Sequence, residues 1–133
     1  NLLTRKASSK PGVAHLFLDP ALAAEQLFIL AHPQQRVRQI SDRILRHAGI
    51  VPKIRLETSS VQSALCFASN DLGISFAPES FILLLYVQIE LAYFYLEDKY
   101  EASWTFCVVY PQNVTPSTPA RFFLQETQRL FGR

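Results

Sequence analysis

Between Leu27 and Ala77 the spacing of apolar residues switches period repeatedly, and that rhythm limits the fold more than any other feature of the chain. Residues 27–31 (LFILA) form a short continuous apolar run, the pattern of a strand covered on both faces. Over residues 36–48 the period becomes helical. Val37, Ile40, Ile44, Leu45 and Ala48 share one stripe, while Arg36, Arg38, Asp42, Arg43 and Arg46 lie mostly outside it. Gly49 stands where a left-handed terminal residue is wanted, and Pro52 follows shortly after. Residues 53–57 (KIRLE) alternate polar and apolar, as a half-buried strand does. Thr58, Ser59 and Ser60 supply N-cap candidates for a helix over 61–69, with Val61, Ala64, Leu65 and Ala68 on its inner side. Residues 70–73 (NDLG) then make a turn, and 74–77 a strand stopped by Pro78.

The order β, α, β, α, β with short turns predicts an α/β layer built on parallel strands. Outside that block the elements are shorter. Residues 1–15 read as a connector, and Asp19 caps a helical turn whose first position suits Pro20. Residues 83–96 have room for two short strands, and 104–110 (WTFCVVY) read as another. Residues 111–119 form a loop before an amphipathic helix over 120–131, with Phe122, Phe123, Leu130 and Phe131 as its anchors.

Composition narrows the function classes. The 133 residues allow one domain or part of one, and the 49% apolar content supports a real core. Charged residues make up 18% of the chain, below the globular average of roughly 25%. A disordered, collagenous or low-complexity chain is thereby excluded. The net charge of +2 is too balanced for a nucleic-acid surface spread over the whole domain. The chain lacks methionine and opens on Asn1, so a processed product or an excerpt of a longer protein is expected. The most apolar stretch, 81–96, is interrupted by Gln88 and Glu90 and is too short to span a membrane comfortably. No secretory leader pattern occupies the first twenty residues, so a cytoplasmic location is expected, with Cys66 and Cys107 as buried, reduced thiols.

Few residues carry recognisable catalytic chemistry. His15, His32 and His47 fall on three different elements without a carboxylate or cysteine at ligand spacing, so no metal is expected. No G-x-S-x-G elbow and no glycine-rich phosphate loop is present, and no cofactor is expected. The four arginines of 36–48 look at first like a phosphate comb. A solvated face or a subunit contact is the simpler reading, because no aromatic or glycine pattern accompanies them.

In parallel sheets ligands lie beyond the carboxyl ends of strands, near helix starts. Three such exits are expected here: residues 31–35, 57–60 and 78–80. The sharpest is Glu57-Thr58-Ser59-Ser60, where free amides at a helix start and neighbouring hydroxyls suit a carboxylate or other anion. The plainer alternative leaves one hydroxyl capping the helix and the others meeting water.

The runs EQLFIL and RVRQISDRILRHAGIVPKIRLETSSVQSALCFASNDLGISFAPES resemble the effector-binding domain of LysR-type transcriptional regulators. Their shared features are an arginine-led helix ending in glycine, a strand ending in Glu57, and a Leu-Gly-Ile strand closed by proline. The segments WTFCVVYPQN and RFFLQETQRLF resemble the returning strand and terminal helix of that family. Where the family usually has small residues with a glycine, this chain has Ala68-Ser69-Asn70-Asp71, and Asn70 is the residue suited to a left-handed turn.

The resemblance implies a periplasmic-binding-protein-like (type 2) α/β effector domain. About 16–100 would be the second subdomain, and about 102–133 a strand and helix returning to the first. It implies a non-enzymatic sensor of a small anionic or polar inducer, acting as a homodimer or tetramer. DNA is reached only through an N-terminal winged helix-turn-helix that is absent here. Carried over by position, ligand contacts fall on Thr58, Ser59 and Ser60, on Gln34 and Gln35, on His32 as a group that tunes the pocket with pH, and on Pro78. A solute-binding or enzymatic α/β domain of similar architecture is the alternative, and a pure oligomerisation scaffold a third.

Overall fold

The computed structural model describes residues 2–10, 16–84, 91–105 and 107–131. They divide into two compact units, Asn1–Ser103 and Trp104–Arg133.

The first unit is organised by β3 (Leu27–Ala31), following α1 (Leu2–Lys6), β1 (Ser8–Ser9) and β2 (Leu16–Phe17). After β3 come α2 (Arg36–His47), β4 (Lys53–Thr58), α3 (Val61–Ser69), β5 (Ile74–Ser75) and α4 (Glu79–Leu84). β3 pairs in parallel with β4 on one side and β5 on the other, giving the order β4-β3-β5. The βαβαβ alternation expected from the hydrophobic period is therefore present. The middle strand is the apolar run, and Phe28, Ile29 and Leu30 are all buried. Phe28 and Leu30 join a core of Leu3, Leu18, Ala23, Leu45 and Ile50, while Ile29, Ala64 and Leu65 are buried outside that cluster. Strand alternation accounts for the split, because neighbouring residues of β3 face opposite sides of the sheet.

The register along β4 slips between Phe28–Ile54 and Ile29–Leu56, leaving Arg55 as an extra residue. The slip breaks the strict alternation expected there, so Ile54 is exposed while Leu56 is half-buried. Gly49 takes the left-handed conformation after α2, at φ 69°. In the turn after α3 the left-handed residue is Asp71 (φ 56°), not Asn70 (φ −98°). Asn70 instead turns its side-chain amide back to the Cys66 carbonyl at 2.8 Å, capping the end of α3. Asp19 caps the short helical turn Pro20–Ala23 as expected, accepting the Ala21 N–H at 3.0 Å. Its same oxygen accepts the hydroxyl of buried Tyr100 at 2.7 Å.

Several expectations are corrected. The connector over 1–15 holds α1, whose Leu3 enters the core, and β1, which pairs with β2; residues 11–15, including His15, lie outside the described set. In place of two strands over 83–96, α4 runs to Leu84 and a single bridge joins Tyr95 to Phe17; residues 85–90 lie outside the description. The described residues of the strand expected over 104–110 are not in a strand, and Val109 is 87% exposed. A strand is defined by its ladder, and the second unit offers no neighbouring strand among the described residues. That unit carries instead α5 (Thr118–Phe131), which begins two residues before the expected start. Phe122, Phe123 and Leu130, expected as anchors, are exposed. Cys66 and Cys107 are free but exposed, not buried. For Cys66 the reason is helical phase: Ala64 and Leu65 take the buried face of α3, and the next residue turns outward. Among the described residues no helix is long and apolar enough to cross a membrane.

Gly73 permits a close approach that no other residue allows. A Cβ there would lie 2.5 Å from the Leu27 carbonyl oxygen, at a φ of 153° that L side chains rarely adopt. Gly73→Ala is expected to lower stability by about 1–3 kcal/mol, seen as a reduced urea midpoint. The Tyr100 hydroxyl, then the Ala21 N–H, holds the Asp19 pKa below its usual value. A depressed carboxylate pKa stabilises the fold above its unfolded-state value and loses that contribution as pH falls through the folded-state value. Tyr100→Phe is therefore expected to destabilise at pH 7, and the gap from wild type should narrow as unfolding is repeated toward pH 3.

Candidate functional site

Parallel pairing sets the carboxyl ends of β3, β4 and β5 on one edge of the sheet, with the exit of β3 between the other two. The first two exits are joined. The last rung of the ladder is the His32 N–H donating to the Thr58 carbonyl at 3.2 Å. Beyond it Gln35 takes over. Its Oε1 accepts the His32 N–H at 3.1 Å, and its Nε2 donates to the Ser59 carbonyl at 2.7 Å.

The hydroxyls divide their work. Thr58 Oγ1 accepts the Ser60 N–H at 3.2 Å, and Ser60 Oγ accepts the Ser63 N–H at 3.2 Å, capping α3. Among the described residues the Ser59 hydroxyl makes no hydrogen bond, and neither do the side chains of His32 and Gln34; all three residues are exposed. Pro78 leaves β5 half-buried, and its carbonyl accepts the Phe81 N–H at 3.0 Å. No described hydrogen bond joins Pro78 to the other two exits. Beside it the Glu79 carboxylate accepts the Tyr95 hydroxyl at 2.6 Å, which together with burial raises the phenol's pKa.

The residue that sequence reasoning missed is Arg38, which was placed on the polar side of α2. Its side chain is only 12% exposed. Nε donates to Asp42 Oδ1 at 2.8 Å, and one terminal nitrogen donates to the Ala31 carbonyl at 3.0 Å and also to Glu57 Oε1. Burial works against its charge, but hydrogen bonds to Asp42 and Glu57 outweigh it and raise the guanidinium pKa. The signal was present in two pieces: an Arg38–Asp42 pair at helical i,i+4 spacing, and a glutamate one residue before the end of the next strand. Only the parallel register, with Leu30 opposite Glu57, brings them together.

α2 and α3 both begin at this edge. Gln35 occupies the N-cap position of α2 without bonding the helix amides, so the first turn of α2 has no side-chain cap. At α3 the Ser60 cap reaches Ser63. The edge therefore offers uncapped main-chain donors, one free hydroxyl, an imidazole and an amide, while the largely buried Arg38 is already paired to two carboxylates. That set suits hydrogen-bonded recognition of a small polar group. Among the described residues no three His, Cys, Asp or Glu side chains group to hold a metal ion.

A family model described as LysR substrate binding domain matches residues 11–132. No curated protein and no solved structure matches the chain. Arg38→Lys keeps the charge but loses the fork that serves three acceptors, and is expected to cost about 1–3 kcal/mol in urea unfolding.

Proposed function

Because the chain belongs to the LysR substrate binding domain family, we propose that it senses a small anionic or polar inducer on behalf of a LysR-type transcriptional regulator. The observation that carries this reading is the joined edge: two parallel strand exits tied by Gln35 and Arg38, with two helix starts opening beside them. The inducer's polar group sits against the Ser59 hydroxyl, the Gln34 amide and the leading amides of α2 and α3, with His32 at the rim. Thr58, Ser60 and Gln35 shape that surface from within, and Pro78 bounds it at the third exit.

In this reading residues of about 16–100 form the second α/β subdomain of a periplasmic-binding-protein-like clasp. Residues of about 102–133 form the segment that returns to the first. Ligand binding favours one relative orientation of the two subdomains, and a homodimer or tetramer in the cytoplasm passes that bias to DNA held by a separate N-terminal domain. The chain itself performs no chemistry on the inducer.

Titration of the ¹⁵N-labelled chain with a panel of small carboxylates tests the reading. Shifts are expected at the amides of residues 32–37 and 58–63. Ser59→Ala is expected to weaken binding about two- to tenfold, the range of one hydrogen bond. A panel that leaves both loops unshifted, or an Ser59→Ala variant with unchanged affinity, would overturn it.

A further inference from the structure

Gln35 breaks a local rule, and what it does instead has a consequence. As the N-cap residue of α2, with extended backbone at φ −81° and ψ 144°, it is placed to turn its side chain onto the first helix amides. It makes no such bond. Its carbonyl oxygen Oε1 accepts the His32 N–H at 3.1 Å, and its Nε2 donates to the Ser59 carbonyl at 2.7 Å, twenty-four residues along the chain. Both ends of one amide thus bridge the loop leaving β3 to the loop leaving β4, beyond the last rung of the ladder. Arg38 makes the lower tie, from Ala31 to Glu57, at the strand ends themselves. The strand ends are tied by an ionic hub around the largely buried Arg38, and the loops above them by the single amide of Gln35.

We propose that Gln35 is the positioning residue of the ligand site: it sets the separation between the starts of α2 and α3, and so the size of the group admitted between them. The proposal rests on the ligand-sensing reading above and extends it to selectivity. Gln35 acts through Ser59 and His32 rather than through a bond of its own to the inducer. Because the Gln35 bridge is exposed, breaking it changes loop geometry far more than global stability.

The test uses Gln35→Met, which keeps the side chain's length but neither hydrogen bond, beside Ser59→Ala, which keeps the main-chain carbonyl that Gln35 needs. Each ¹⁵N-labelled chain is titrated with acetate and with benzoate, two carboxylates of different size, and its thermal midpoint is recorded. In Gln35→Met the acetate-to-benzoate affinity ratio is expected to change about three- to tenfold, with an unaltered thermal midpoint. In Ser59→Ala both affinities are expected to fall together and the ratio to stay. A Gln35→Met ratio equal to wild type, with wild-type binding intact, overturns the positioning role alone. Absence of shifts at either loop in the wild-type chain overturns the ligand-sensing reading and this proposal with it.

Discussion

The position of β3 at the centre of its sheet is the constraint on which the rest of the first unit depends. It is hydrogen-bonded along both edges and covered on both faces, so its side chains have no polar surroundings to answer to. Three consecutive buried residues, Phe28, Ile29 and Leu30, satisfy that condition. The same centrality explains Gly73, since the chain entering β5 passes so close to the Leu27 carbonyl that no side chain fits. It also explains why main-chain groups in need of partners gather where β3 stops. At Ala31 the apolar run ends, the ladder loses its partners, and the exposed main-chain groups need new ones.

Those partners come from two sources of different character. Arg38 is nearly buried and charged, and its guanidinium is met by the Ala31 carbonyl, Asp42 and Glu57. Asp42 and Glu57 are themselves part-exposed, so what the hub chiefly supplies is geometry, one planar fork holding three acceptors. Gln35 is neutral and water-accessible, and its bridge stiffens the loops without anchoring the fold. A rigid base under adjustable loops is the arrangement a ligand site needs, since recognition benefits from preorganisation but entry requires movement.

How much of this was legible follows from the kind of interaction involved. The three central strands and the two helices between them were legible because each is announced locally: LFILA by continuous burial, residues 36–48 by a helical stripe, and the start of α3 by three hydroxyl residues before an apolar helix. Outside the block the helical turn at Pro20 and the terminal helix α5 were legible too, but α1, the β1–β2 pair and the stretch after α4 were not. Leu3 reaches the core from a basic, polar stretch with no periodicity, and a single apolar residue leaves no pattern. The segment 104–110 has the composition of a strand, yet composition cannot supply a neighbour to pair with. The exits 31–35 and 57–60 were found from sheet geometry, because parallel βα units place them together. What stayed hidden was which of their side chains bond one another. Thr58 and Ser60 look alike in sequence to Ser59, and Gln35 to Gln34; the turn into α3 decides which hydroxyls bond within the chain, and the pairing of β3 with β4 which amide reaches across.

That separation sharpens the electrostatic character of the edge. Arg38 is paired with Asp42 and Glu57, Glu79 accepts from Tyr95, and Arg36 donates to Gln39. Among the described residues the His32 imidazole makes no hydrogen bond. Of Arg36, Arg38 and Glu79, only Arg38 has its charge met within the chain; the exposed Arg36, at the start of α2, and the exposed Glu79 have neutral partners, and the neutral groups of Ser59 and Gln34 are exposed beside them. On the ligand-sensing reading, an inducer's polar group is met by helix-start amides and by hydroxyl and amide dipoles rather than by the Arg38 fork, which is already occupied. Such contacts are short-ranged and directional, so discrimination rests on where the donors stand. On the same reading the two ties, Arg38 below and Gln35 above, set where those donors stand, so the geometry of the loops bears directly on what this edge accepts.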